Sequence, residues 1–189
     1  SSNSYNDGKV TGNKINTLGG NVSFGEGVLG DAVYLDGLSG IKLPDKLVTS
    51  YEFTISYWIK PEELSSFTTT FFSGSETKWL SFVPMGPVDD KTMLWAGEEW
   101  YDAPASYQVE TEVWTHIAFS VNHGKVKIYL NGELEFEGDN FPNVFIGNNA
   151  DFSLGVNHWD QPYKGWIDEL IIFNGELQPQ QVEQLATIN

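Results

Sequence analysis

Cysteine is absent from all 189 residues, and arginine is absent too, so the ten basic residues are all Lys. Without thiols there is no cysteine catalysis, no disulfide staple and no cysteine-ligated zinc. Without guanidinium there is no planar fork to hold a phosphate or carboxylate through two parallel bonds. Positive charge is scarce altogether. Against the ten Lys stand 26 Asp and Glu, which leaves a formal charge of −16 and a pI near 4.3. That balance excludes the cationic stripe that nucleic acid needs, and it repels anionic membranes and polyanionic sugars. No apolar run is long enough to span a bilayer. The first residues do not form the charged-then-apolar start of a signal peptide.

Aromatics, by contrast, are abundant. Seven Trp, twelve Phe and eight Tyr are far too many for a disordered chain, so the acidity belongs to a folded surface. A mass of 21.1 kDa fits one domain, and an all-β unit of that size forms a single core. The opening Ser1-Ser2-Asn3-Ser4 reads as the stub of a polar linker. We therefore expect a linker remnant over residues 1–5 and one domain over 6–189, a module of a larger protein.

Period two dominates the chain. In Glu52 to Lys60, Phe53, Ile55, Tyr57 and Ile59 share one face, while Thr54, Ser56, Trp58 and Lys60 share the other. Trp114 to Val121 repeats the pattern, with Ile117, Phe119 and Val121 on the apolar face. Asn131-Gly132 lies between two alternating runs, and both central residues of a type I′ turn need positive φ. Residues 113–137 therefore read as a three-stranded meander. Further strands are expected at 31–36, 40–43, 69–73, 78–84, 91–96, 151–156 and 164–173. Pro179 can occupy a first helical turn, and Val182, Leu185 and Ala186 then share a face, so 179–186 is predicted as a short helix. Many short strands with turn signals between them indicate a sandwich or jelly roll.

Several segments in order carry a resemblance. They are Gly30 to Gly37 followed by Ile41-Lys42-Leu43-Pro44, Phe53 to Pro61, and Trp114-Thr115-His116-Ile117-Ala118-Phe119. Ile128-Tyr129-Leu130-Asn131-Gly132 and Gly165 to Leu170, ending at Phe173-Asn174, complete the set. This set resembles the laminin-G-like branch of the concanavalin A-like lectin/glucanase superfamily, over about residues 7 to 187. The resemblance implies an all-β sandwich of two antiparallel sheets, one of them concave. It also implies a bacterial module attached to a secreted glycan-degrading enzyme or surface protein, with sugar binding and a structural calcium common among its members.

The residues themselves speak against catalysis. The family's retaining glycanases place carboxylates on alternate residues of one strand, so that nucleophile and acid share a face. Glu133, Glu135 and Glu137 alternate, but they follow a hairpin turn and carry no intervening Asp, so a solvated face is the expectation. Asp168 and Glu169 are strand neighbours and point apart. His116, His123 and His158 are scattered, and His116 reads as a hydrogen-bonded structural residue. We expect no catalytic residues.

Sugar binding is better supported. A sugar's apolar C–H face stacks on an aromatic ring while amides and carboxylates bond its hydroxyls. Two segments set large rings among such groups: Met93 to Asp102, with Trp95, Trp100 and Tyr101, and Asn157 to Tyr163, with His158, Trp159, Asp160 and Tyr163. Large aromatics in polar loops are costly to expose without a use. Trp79 is a further candidate, whereas Trp58, Trp114 and Trp166 are expected to be packed. The alternative is that the loop rings fold back as staples over one end of the sandwich. The polar face of Thr54, Ser56 and Trp58 leaves a sheet-face site open as well. The charge balance favours a neutral glycan, or a sugar with a cationic amine.

Calcium prefers carboxylate, amide and backbone oxygens. The resemblance places it between the start of the domain and the last long strand, which suggests Asp168 with Asn6 and Asp7. The competing expectation for Asp168 is a carboxylate satisfied by backbone N–H groups. The leading expectation is thus a monomeric, non-catalytic module of a secreted or cell-surface protein, binding a neutral poly- or oligosaccharide beside other modules of its parent chain. The alternatives are an adhesion or spacer module with a protein partner, and a glycan hydrolase or lyase.

Overall fold

Fourteen strands and one helix appear among the described residues, 8–147 and 149–187 of a computed structural model. The expected linker stub at 1–5, and Asn6 and Asp7, lie outside them. The strands are β1 (Lys9–Thr11), β2 (Val22–Glu26), β3 (Asp31–Asp36), β4 (Gly40–Lys42), β5 (Glu52–Pro61), β6 (Phe71–Gly74) and β7 (Trp79–Val83). They continue with β8 (Met93–Ala96), β9 (Tyr101–Pro104), β10 (Thr115–Asn122), β11 (Lys125–Leu130), β12 (Glu133–Gly138), β13 (Asp151–Leu154) and β14 (Lys164–Phe173), and the chain ends in α1 (Pro179–Ala186). The first sheet runs β1-β4-β13-β6-β7-β8-β9 and the second β12-β11-β10-β5-β14-β3-β2. Every neighbouring pair is antiparallel. This is the expected all-β, two-sheet antiparallel sandwich of the concanavalin A-like jelly-roll kind, with a short C-terminal helix.

The core lies between the sheets and follows the period-two pattern. Phe53, Ile55, Tyr57 and Ile59 of β5 and Ile117, Phe119 and Val121 of β10 meet Phe71, Leu80, Phe82, Leu94 and Phe152 of the first sheet. Phe82 stacks on Phe119 at 5.6 Å between ring centroids. Asn131 and Gly132 both take positive φ, 52° and 83°, as the tight hairpin requires.

The polar-looking face of β5 is not a surface. Thr54 and Ser56 are buried and Trp58 is nearly so. The α1 region covers part of it, with Val182 and Leu177 packed on Ala118 and Tyr129. Thr54 Oγ1 donates to the Gly175 carbonyl at 2.8 Å and accepts from Leu177 N at 3.0 Å. The C-terminal segment thus covers part of this face, and a cavity of about 200 Å³ lined by Ser56, Trp58, Glu169 and Leu185 stays open beside α1. At the start of α1, Pro179 takes the first turn, and Gln178 N–H donates to Gln181 Oε1 at 2.8 Å.

Candidate functional site on the outer face of the first sheet

Alternation carries two tryptophans to the outer face of the first sheet. Leu80 and Phe82 of β7, and Leu94 and Ala96 of β8, fill the core, so Trp79 and Trp95 point the other way. Their centroids are 5.1 Å apart with the rings nearly perpendicular. Phe72 of β6 reaches the same face and lies 6.3 Å from Trp79. Phe67 stacks on Trp95 at 5.5 Å. Phe72 and Trp95 are buried, so they form a floor rather than a contact surface.

Two loop tryptophans stand on that floor. Trp100 closes the turn after β8, 5.1 Å from Trp95 and 6.3 Å from Trp79, edge-on to both. Its Nε1 donates to Asp102 Oδ2 at 3.1 Å, and Asp102 is the register partner of Trp95. Trp159 packs against Trp79 at 5.6 Å, Phe72 at 5.9 Å and His158 at 5.4 Å. Trp100 remains 61% exposed and Trp159 43% exposed. Large rings at that exposure, braced edge-on by buried ones, form the kind of rigid platform on which a sugar can stack.

The Trp159 loop is fixed by a side chain two residues earlier. Asn157 is buried, and its Oδ1 accepts from Trp159 N at 2.9 Å and Asp160 N at 2.7 Å. Its Nδ2 donates to Asp160 Oδ2 at 2.7 Å, and Lys14 Nζ donates to the Asp160 carbonyl. Asp160, expected to bond a sugar, is thus engaged in holding the loop that presents Trp159. Next to His158 lies a polar group: Lys42 Nζ sits 2.8 Å from Asp151 Oδ1 and donates to Asn16 Oδ1 at 2.7 Å. A cavity of about 500 Å³ to one side shares Lys42 and Asp151 with this face.

Of the expected site residues, Trp95, Trp100, Trp159 and His158 come together here, with Asp160 behind them. Two do not. Tyr101 alternates toward the core side of β9 and packs edge-on against Phe141 at 5.2 Å. Tyr163 is 1% exposed, its hydroxyl donates to the Trp166 carbonyl at 3.3 Å, and burial holds its phenol well above the usual range. Neither ring can stack on a ligand at this face, and both expectations are corrected. Phe72, Asp102, Asp151, Lys42 and Asn16 were not expected. Asp102 closed the aromatic segment already singled out, and its alternation with Tyr101 was the signal that could have found it.

The remaining candidates are placed as follows. His116 is buried between Ser56, whose Oγ lies 2.8 Å from Nε2, and Trp58 at 5.2 Å. Burial pushes its pKa down to about 4, so the ring is neutral at pH 7. Glu133, Glu135 and Glu137 lie along β12, the edge of the second sheet, with Lys127 in register with Glu137. Asp168 of β14 is 7% exposed. Its Oδ2 accepts from Val28 N at 2.7 Å and Leu29 N at 3.1 Å, and its Oδ1 from Glu169 N at 2.9 Å. These donors make Asp168 a clamp on the turn after β2. A cation would have to compete with N–H groups already aimed at both oxygens. Among the described residues, no three His, Asp or Glu side chains converge to hold a metal, and the expected partners Asn6 and Asp7 lie outside them.

The Laminin_G_3 family model, of the concanavalin A-like lectin/glucanases superfamily, matches residues 35–183. The chain belongs to this family. Among solved structures, the laminin-G-like domain is similar to domain 4 of AbnA, a GH43 extracellular arabinanase from Geobacillus stearothermophilus, in complex with arabinotriose. Identity is 50% over 95% of this chain and 88% of that one, with a TM-score of 0.93. The domain also shares its fold with a heptameric SAP-like pentraxin from Limulus polyphemus (15% identity, 96% of this chain and 82% of that one, TM-score 0.60). A third similar structure is the botulinum neurotoxin serotype C1 binding domain (18% identity, TM-score 0.69), in which the match covers 95% of this chain and 47% of that one. No curated protein sequence matches the domain. Among the described residues no helix is long and apolar enough to cross a membrane.

Proposed function

We propose that this laminin-G-like domain is a monomeric, non-catalytic carbohydrate-binding module for a neutral arabino-oligosaccharide, bound on the tryptophan-lined outer face of the first sheet. One observation carries the reading: a domain half identical to this one, over nearly its whole length, is in complex with arabinotriose. The exposed rings of Trp100 and Trp159 supply stacking surfaces, and Asp102 and Asp151 supply acceptors at their margins. A neutral pentose suits a chain of charge −16 that has no Arg. Within a secreted or cell-surface parent protein, such a module would hold arabinan near catalytic or anchoring modules and raise their effective concentration on it.

Affinity electrophoresis in gels containing arabinan tests the proposal. The wild-type domain should be retarded, and Trp100→Ala and Trp159→Ala should each reduce the retardation by about tenfold in apparent affinity or more, since aromatic stacking contributes on the order of 1–2 kcal/mol. Far-UV circular dichroism should not change, because both rings lie outside the core. Equal retardation of both variants and wild type would reject this face as the platform.

A further inference from the structure

Stacking reads little beyond shape, because any sugar with an apolar face can lie on an indole. The ring face has few polar atoms to spare for selection. Trp100 Nε1 is engaged with Asp102, and Trp95 Nε1 is buried. The polar side chains converge instead at the His158 flank. There Lys42 Nζ and Asp151 Oδ1 face each other at 2.8 Å, and the two side chains keep 28% and 23% exposure. Asn16 bridges them: its Oδ1 accepts from Lys42 at 2.7 Å, and its Nδ2 lies 3.5 Å from Asp151 Oδ2. His158 closes the group, with Nε2 at 3.9 Å from Asp151 Oδ2 and its ring edge-on to Phe72 at 5.5 Å. The same imidazole lies 5.4 Å from the Trp159 ring, and so links the pair to that platform.

The group is held from below. Lys42 lies on β4, in register with Ser153 of β13, and Ser153 is in register with Phe72 of the floor. Asn16 sits in a turn at φ 63°. Buried Thr11 braces that turn, with Oγ1 near the carbonyls of Lys14 and Thr17 at 2.8 and 3.0 Å. Ile15 N donates to the Asn157 carbonyl at 3.1 Å, which joins this turn to the Trp159 loop. Donor, acceptor and ring are therefore fixed on one frame before any ligand arrives.

We propose that the Lys42–Asp151 pair reads a vicinal diol of the sugar stacked on Trp159. This rests on the glycan-face reading above and names the sugar chemistry selected there. The pair presents one ammonium donor and one carboxylate acceptor side by side, and two adjacent hydroxyls match that spacing. One hydroxyl accepts from Lys42 Nζ, and the other donates to Asp151. Both bonds are charge-assisted, and the mutual neutralisation of the pair lets a neutral sugar approach without meeting a bare charge. Asn16 and His158 act as positioning residues.

Isothermal titration of the domain with arabinotriose, and with arabinotriose whose ring hydroxyls are O-methylated, tests the assignment. Wild type should prefer the free sugar by about tenfold or more, because a donor or acceptor that the bound sugar covers and leaves unpaired is expensive. Asp151→Asn and Lys42→Met should each weaken arabinotriose binding by about tenfold and narrow that preference, while Trp159→Ala weakens both ligands together. Melting curves check that the variants fold, and Asp151→Glu stands in if Asp151→Asn does not. An unaltered preference in Asp151→Asn and Lys42→Met, with binding lost in Trp159→Ala, would overturn the diol assignment and leave the site standing. Failure of wild type to bind arabinotriose would overturn both.

Discussion

Gly97 acts through the side chain it lacks. A Cβ built there would lie 2.3 Å from Cε2 and Nε1 of Trp79, so the glycine is the space into which that indole packs. Trp79 in turn supports Trp100 and Trp159. Gly97→Ala should tilt the Trp79 ring and lower arabinotriose affinity by about fivefold to tenfold, roughly 1 kcal/mol. The signature is a changed near-UV circular dichroism spectrum with a little-changed far-UV one. Unaltered affinity and spectrum would show that Trp79 does not brace the platform. In sequence Gly97 is one more loop glycine, since nothing local says which ring will fall on it. Trp95, Trp100 and Trp159 could be singled out because rings in polar segments are costly to expose. Tyr101 and Tyr163 share those segments, yet one faces Phe141 and the other is sealed in the core. Segment composition does not encode direction. Alternation from the core residue Ala96 across to Tyr101, its register partner, does.

At the level of elements, the strong apolar alternation of β5 and β10 was readable because each presents a regular face to the core. By contrast, β14 carries a register shift between Asp168 and Ile171, and α1 was readable from Pro179 and the spacing of its apolar residues. β1, β2 and β9 were not expected. β1 has only three residues, β2 is an edge strand carrying an exposed Phe24, and β9 ends in proline. An edge strand pairs on one side only, so its sequence is weakly constrained. The second face of β5 and β10 misleads for another reason. It reads as polar, but α1 and the residues before it bury it, and His116 is buried with it. That gives a pH signature with a definite sign. The folded state holds His116 neutral, with a pKa lowered to about 4, while the unfolded chain takes up a proton near the ordinary histidine value. Stability from this group is complete above about pH 6.5 and falls as pH drops toward 4, by on the order of 3 kcal/mol in all. Glu176 is held below the usual carboxylate range by Lys127 and Asn122, so its contribution is intact above that range, begins to fall as pH drops through it, and is gone once pH is below its own lowered pKa. Urea unfolding at pH 7 and pH 5 should show wild type losing stability over an interval in which His116→Gln changes less. Parallel losses in the two proteins would place the titrating group elsewhere.

Across the whole molecule the two outer faces have opposite characters. That of the first sheet gathers the aromatic platform, and that of the second is closed in part by α1, with Asp168 clamping the turn at Val28 and Leu29. The sandwich core separates them. A metal ion at Asp168 would therefore act on the joining of β14 to the turn after β2 and could not touch a sugar on Trp100 or Trp159. Arabinotriose affinity should accordingly be the same in chelator as in millimolar calcium. If calcium binds the folded chain at all, its effect belongs in the melting temperature, through the mass-action gain of any ligand that favours the native state. Titrations and melts run side by side in both buffers separate the cases. Affinity lost in chelator at a constant melting temperature would put an ion at the glycan face itself. That outcome would make Asp102 and Asp151 the carboxylates to replace next, and it would contradict the assignment of Asp151 to Lys42 and a hydroxyl. Constant affinity with a shifted melting temperature would locate the ion away from the sugar, where the carboxylate of Asp168 joins distant parts of the second sheet.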